Sequence, residues 1–505
     1  MKFNTRPAGA ATVKNHEGAK AWTMSKELEL YSAVVTTTLS DKFYETGSER
    51  MNRIRTLVRE VNPQFVAKLA VYARESMYLR SVPLVLAVEL ARIHQGDDLV
   101  SRLVARVIQR ADEITEILAL YQHANERKSL KKLGRLSKQL QKGLALAFNK
   151  FDEYQFSKYN RDADVKLRDA LFLVHPRPKN DAQQMLFDKI AKDSLDTAYT
   201  WETEMSRAGQ EAQGDEADKN LAFAKQWEAL IDSGKLGYMA MLRNLRNMLQ
   251  KGISDAHLDK VGALLADPNE VRKSKQFPFR FLAAYRELGA QSNLRVPQVL
   301  EALEKAIRLS VANMKGFDRD TRILIACDVS GSMQTAVSAK SKIQMYDIGL
   351  VLSMLLQSKC ERAITSIFGT EFKVVNMPRT DILANTERMG HYGSQVGWAT
   401  NGHLVVRHLN HTKEIVDKVM IFTDMQLWNS KGDGGELGKE WTQYKKIAPK
   451  AKLYIFDLQG YGQAPINPLR NDVCLIAGWS DKVFDILHAL ENGSNALEVI
   501  DKIVI

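Results

Sequence analysis

The stretch RILIACDVSGSMQ, residues 322–334, runs from an apolar segment straight into one carboxylate and two hydroxyls. An apolar run without polar alternation marks a strand of a parallel sheet that is covered on both faces. In open α/β sheets the ligand site lies just beyond the carboxyl ends of the strands. Asp328, Ser330 and Ser332 stand in that position at spacing i, i+2, i+4, and Gly331 permits a tight turn among them. Oxygen donors without thiolate or imidazole suit a hard cation such as Mg²⁺ or Mn²⁺. The segment IQMYDIGLVLSMLLQ, residues 343–357, then reads as a helix.

The pattern D-x-S-x-S resembles the first loop of the metal-ion-dependent adhesion site of von Willebrand factor A domains. Such a site needs two further loops. A second apolar run, KVMIFTDMQ, ends around Asp424, where those domains carry their second carboxylate. Between the two runs lies the Gly-rich turn Gly397–Gly402, whose Thr400 matches the threonine of the middle loop. Asp and Ser also make ordinary turns and caps, which accounts for any one loop but poorly for all three in this order. Asn401 stands where many of these domains have Asp.

At 505 residues the chain is too long for one core and calls for two or more domains. No apolar run approaches a membrane span, and residues 1–20 lack the apolar centre of a signal peptide. Cys327, Cys360 and Cys474 show no paired spacing and read as buried free thiols, so a cytoplasmic location is expected. The net charge of +11 becomes informative when divided. From Phe317 onward 21 Lys+Arg face 21 Asp+Glu, which leaves 50 basic against 39 acidic residues in the preceding part. A basic excess confined to one region is an electrostatic footprint for a polyanion, with nucleic acid the first candidate.

Residues 1–22 read as a flexible lead-in. From Met24 to Asn313 amphipathic segments follow one another with short connections, among them PQFVAKLAVYARESM and PLVLAVELARIHQ, which begin at Pro63 and Pro83. Many such helices joined by short turns suggest an α-solenoid. The segment Glu126–Lys142 carries seven Lys/Arg against one acid; Lys131, Lys132 and Arg135 are its central cations. Beyond it Lys158, Tyr159, Arg161, Lys166, Arg168, His175 and Arg177 continue a basic and aromatic mix. Cations there would contact phosphates, and ring faces would stack unpaired bases. Residues 207–220 are predicted to be an exposed loop. After about residue 317 strands and helices alternate, as in a doubly wound parallel sheet with a short antiparallel edge.

YLRSVPLVLAVELA, MAMLRNLRNML and FPFRFLAAYR, followed by DVSGSM, resemble the Ro autoantigen family over nearly the whole chain. The helical part of that family is the TROVE domain, and its bacterial members have this length. The resemblance implies HEAT-like helical repeats over residues 23–316, closed into a monomeric ring by an A domain over residues 317–505. It implies small noncoding Y-like RNA on an outer basic face, and single-stranded ends of misfolded or structured RNA in the hole. In bacterial relatives it further implies work with an exoribonuclease such as polynucleotide phosphorylase, in RNA quality control or decay. Lys158 and His175 fall in register with a Lys and a His of the family's Y-RNA face, and Arg161 lies one place from its Arg, where Asp162 stands. Arg243, Arg246, Arg280 and Arg286 lie in family-like helices and are candidates for the hole.

Three classes of function follow. The first is a noncatalytic RNA-binding protein with a divalent cation held by Asp328, Ser330, Ser332, Thr400 and Asp424. The second is a metal-dependent nuclease using Asp328 and Asp424, but two-metal phosphoryl transfer needs more clustered carboxylates than this site offers. The third is an A-domain adaptor of an ATPase or chelatase-type complex, which leaves the basic helical region unexplained. No phosphate-loop GxxxxGK[ST], HExxH or paired-Cys motif is present.

Overall fold

The computed structural model describes residues 10–37, 42–126, 136–160, 164–310, 320–338, 341–480, 482–491 and 496–505. Lys131, Lys132, Arg135 and Arg161 lie outside the described residues. The chain packs as two compact units. One comprises Met1–Ile54, Met241–Arg246 and Leu258–Val499; the other comprises Arg55–Ala240, Asn247–His257 and Ile500–Ile505.

Among the described residues the strands, all in the first unit, are β1 (Thr12–Lys14), β2 (Lys20–Thr23), β3 (Arg322–Asp328), β4 (Arg362–Phe368), β5 (Phe372–Val374), β6 (Lys418–Thr423), β7 (Lys452–Asp457), β8 (Gln463–Ala464) and β9 (Val473–Ala477). Six form one sheet in the order β5-β4-β3-β6-β7-β9, parallel except for the antiparallel edge strand β5. Strand β3 lies between β4 and β6 and is buried from Ile323 to Asp328, as an unbroken apolar run requires. The helix Met345–Lys359 packs on β3, β4 and β6 and is buried on nearly every face, so its sequence shows little amphipathic pattern. It can approach so closely because position 349 is glycine: a Cβ there would meet Cys327 Sγ at 2.8 Å.

Two segments differ from the sequence reading. Residues 12–23, expected as part of a flexible lead-in, form the hairpin β1–β2, which pairs with β8 through Trp22 opposite Ala464. Its turn is fixed by Asn15, whose Oδ1 accepts from the Glu17 and Ala19 amides at 3.1 and 2.9 Å. The strand partner lies some 440 positions away in sequence, so local periodicity could not announce it. Residues 207–220, expected as a loop, belong mostly to the helices Trp201–Glu211 and Glu216–Asp232. A capping box at Asp215 and Asp218 starts the second helix inside that polar run.

In the second unit Pro63–Glu75 packs on Ser81–Ile93, and Leu99–Val107 on Lys138–Phe148. Asn62 caps the first of these by accepting from the Gln64 amide at 2.8 Å, with Pro63 in the first turn. Buried Arg74 forks onto Glu113 at 2.7 and 2.9 Å and donates to the Val107 carbonyl at 2.9 Å, a polar pin among three helices. In the first unit Pro278–Gly289 packs on Met345–Lys359. Arg286 grips fully buried Asp347 with two bonds of 2.7 Å and Glu387 with one of 2.6 Å. Arg246 bonds Glu287 at 2.7 Å. Both arginines are thus committed to carboxylates.

Candidate metal site and candidate RNA face

The strand ends of β3 and β6 bring Asp328 and Asp424 to one edge of the sheet, and both are fully buried. Ser330 and Ser332 are buried with their hydroxyls 3.4 Å apart. The middle loop is stitched to both neighbours. Gly331 donates to the Trp398 carbonyl at 3.0 Å, and the Thr400 hydroxyl donates to the Gln426 carbonyl at 2.9 Å. Thr400 therefore keeps its oxygen lone pairs for another partner. Asp328 accepts from the Ser330 amide at 3.0 Å and the Thr423 hydroxyl at 2.6 Å. Asp424 accepts from the Gln426 amide at 2.9 Å through one oxygen, while its buried Oδ2 has no hydrogen-bond partner.

Burial pushes the carboxyls of Asp328 and Asp424 well above the usual carboxylate range, and the charge of Asp328 raises Asp424 further. Two crowded, desolvated carboxylates with an orphaned oxygen and three nearby hydroxyls form a donor set that suits a small hard cation. Among the described residues no group of three or more His, Cys, Asp or Glu could hold a metal. A cation here would rest on Asp328, Asp424, Ser330, Ser332 and Thr400.

The RNA candidates lie in the other unit. Lys158 is exposed on the helix Glu153–Tyr159, its ammonium over the rings of Tyr154 and Tyr159 at 5.7 and 5.6 Å. Arg110 covers Tyr159 at 4.4 Å. Arg168 lies over exposed Phe172 at 5.8 Å on the helix Leu167–Val174. Exposed His175 ends that helix in the left-handed region, with φ +50°, so its ring projects where a helical residue's would not. No hydrogen bond or ion pair joins Lys158 directly to His175. They share an exposed basic and aromatic character.

The TROVE domain model matches residues 12–225 and 200–315, and the Ro60 vWA domain model matches residues 322–490. The chain belongs to the TROVE-domain Ro family. Among curated proteins it is similar to Telomerase protein component 1 of Rattus norvegicus, 26% identical over 306 residues, which is 47% of this chain and 12% of that protein. The mouse protein of the same name is 27% identical over 294 residues, 45% of this chain and 11% of its own length. The chain thus spans about an eighth or less of these relatives. Among solved structures, the crystal structure of the Deinococcus radiodurans RO (RSR) protein aligns with a TM-score of 0.59 and 17% identity. It covers 93% of this chain and 100% of that one, a likeness of fold.

In this Ro family member Asn401, where many A domains carry Asp, is committed to its neighbours. It donates to the Thr370 carbonyl and the Ser430 hydroxyl, each at 2.8 Å, and accepts from the Ser430 amide at 2.8 Å. It shapes the loop without adding charge. Sequence reasoning missed the hairpin turn that reaches the Asp424 loop. The Asn15 amide donates to the Leu427 carbonyl and the His16 backbone N–H to Gln426 Oε1, both at 2.9 Å. Tyr44 donates to Glu17 and lies close enough to Ser332 and Asp424 to feel both. Asp457, at the end of β7, is a third buried carboxylate, satisfied by Ser32 and by the Gln459 and Gly460 amides. The apolar run before it was a readable signal.

Proposed function

We propose that this protein is a noncatalytic RNA-binding protein of the Ro type. It binds a small, structured Y-like noncoding RNA through the basic and aromatic face of Lys158, Arg161, Arg168 and His175, extended by Lys131, Lys132 and Arg135. Single-stranded ends of misfolded or structured RNA bind at a second place, and the protein hands RNA to an exoribonuclease. The observation that carries this reading is that exposed Lys158 and Arg168 lie against ring faces, with half-buried Arg110 over Tyr159, all within the residues that match the TROVE domain. Cations meet phosphates and ring faces meet unpaired bases.

Asp328, Ser330, Ser332, Thr400 and Asp424 hold Mg²⁺ or Mn²⁺ in this proposal. A cation held there would be left electrophilic by its hydroxyl-diluted ligands and would supply a place for an acidic side chain of a protein partner. Around it the chain's own residues do the positioning: Thr423 orients Asp328, and the Gln426 amide orients Asp424.

Crosslinking in cells followed by sequencing of bound RNA tests the reading. Enrichment of a short structured noncoding RNA is expected. Recovery of no RNA above an uncrosslinked control would overturn it, and Mg²⁺-dependent cleavage by the purified protein would make it an enzyme instead.

A further inference from the structure

The five side chains of the metal site are shut away from solvent: Asp328, Ser330 and Asp424 are fully buried, and Ser332 and Thr400 are each 3% exposed. A cation that accepts an acid from a partner needs an open side. What stands against these loops is the turn of the β1–β2 hairpin and, beside it, Tyr44. Asn15 anchors the turn on the loop after β6 by donating to the Leu427 carbonyl at 2.9 Å, and the His16 backbone N–H donates to Gln426 Oε1 at 2.9 Å. The His16 ring stacks on Tyr44 with centroids 5.1 Å apart and meets the edge of Tyr461 at 5.4 Å. Tyr461 donates to Gln459 Oε1 at 2.8 Å, and the Gln459 side-chain amide donates to the Ser332 carbonyl at 3.2 Å. Rings from three distant segments thus close on the ligand loops.

Glu17 belongs to this cover. Its backbone N–H is held by Asn15 Oδ1 at 3.1 Å, and one carboxylate oxygen accepts from the Tyr44 hydroxyl. That hydroxyl also meets the Ser332 hydroxyl and feels the charge of Asp424, so a single phenol oxygen separates Glu17 from a metal-site side chain. Nearby Glu45 is neutralised by Arg50 and Arg53. Glu17 has no such counterion, since among the described residues neither Lys nor Arg pairs with it. Asp424, in the same cluster, keeps one buried oxygen without a hydrogen-bond partner. A carboxylate without a counterion, held by a fixed turn against buried oxygen donors, gains most from a cation that it shares with them.

We propose that Glu17 is the chain's own acidic group at the metal site, set in place by Tyr44, on the side that a partner's acidic side chain would take. The proposal rests on the metal-site reading above and adds a residue from outside the three ligand loops. It makes the hairpin part of the site, and an acid from a partner must displace Glu17 to enter.

The test uses the full chain and Glu17→Gln. Glutamine keeps an acceptor for Tyr44 and removes only the charge, at an exposed position. In calorimetric titration with Mn²⁺ the variant should bind about tenfold more weakly, the scale of one charge withdrawn at a few ångströms from a divalent ion in a partly aqueous setting. Acetate should restore much of that affinity in the variant, by entering the vacated side, and leave the parent protein unchanged. Mg²⁺ should slow amide hydrogen exchange over residues 12–23 in the parent and not in Glu17→Gln. Equal Mn²⁺ affinities without an acetate response would overturn the role of Glu17 and leave the metal site standing. Equal slowing of exchange in both proteins would overturn it as well. A parent protein that binds no Mn²⁺ would overturn the metal site and this proposal together.

Discussion

Asp424 shows why single residues at this site have separable effects. Its carboxylate is buried beside that of Asp328, and one oxygen lacks any hydrogen bond. Without a cation this pair costs the fold stability, since desolvation and mutual repulsion both act against ionisation. Asp328→Asn with Asp424→Asn should therefore abolish Mn²⁺ binding by calorimetry while stabilising the metal-free protein by about 1–2 kcal/mol, roughly one pKa unit per relieved charge. Structured-RNA affinity should not change. A double variant that keeps Mn²⁺ but loses structured RNA would defeat this division of labour. On the helical region, Lys158→Ala with His175→Ala should weaken a structured Y-like RNA about tenfold, the worth of one charge-assisted hydrogen bond, and spare an oligouridine. Equal weakening of both RNAs in filter binding would contradict separate sites.

At the scale of elements, the contacts that matter are polar pins through apolar interfaces. Arg286 ties Pro278–Gly289 to Met345–Lys359 by forking onto fully buried Asp347. Removing one member leaves a buried charge unpaired, so Arg286→Met should cost about 3–5 kcal/mol in denaturant unfolding, and Asp347→Leu in the same chain should recover much of it. A cost under about 1 kcal/mol would mean water solvates Asp347 in the variant. Glu304, on the helix Val296–Ser310, accepts from the Ala384 amide at 2.9 Å in the first turn of Ile382–Tyr392. Burial raises its carboxyl above the ordinary range, and the amides of Ala384 and Leu383 only partly offset it. A raised folded-state value means that folding takes up a proton. The favourable contribution is complete below the unfolded value, about 4.3, and is lost as pH rises through the folded one. Glu304→Gln should remove that decline, visible as a flatter difference in melting temperature against pH from acid to neutral. Parallel profiles for the two proteins would refute the assignment.

For the whole molecule, charge distribution sets salt dependence. Charge reversal at Lys131, Lys132 and Arg135 together should weaken RNA binding across sequences and reduce the log–log salt slope by about 0.7–0.9 for every phosphate these side chains neutralise. An unchanged slope would mark that run as a solvated face. The sequence alone was enough for the order of a basic helical region before an A-type sheet, because unbroken apolar runs and amphipathic repeats are local patterns. It was enough, too, to put Asp328 and Asp424 at the ends of strands, and β3 and β6 are parallel neighbours whose ends share one edge of the sheet. Other features only tertiary structure could decide. The hairpin at residues 12–23 gains its partner from β8, and the packing that groups Leu258–Val499 with Met1–Ile54 follows from contacts between distant segments. Beside the helix Leu437–Ile447, Lys20 from the basic preceding part meets Lys413 and Lys446 from the part whose charges sum to zero, because composition counts charges while folding decides which of them become neighbours.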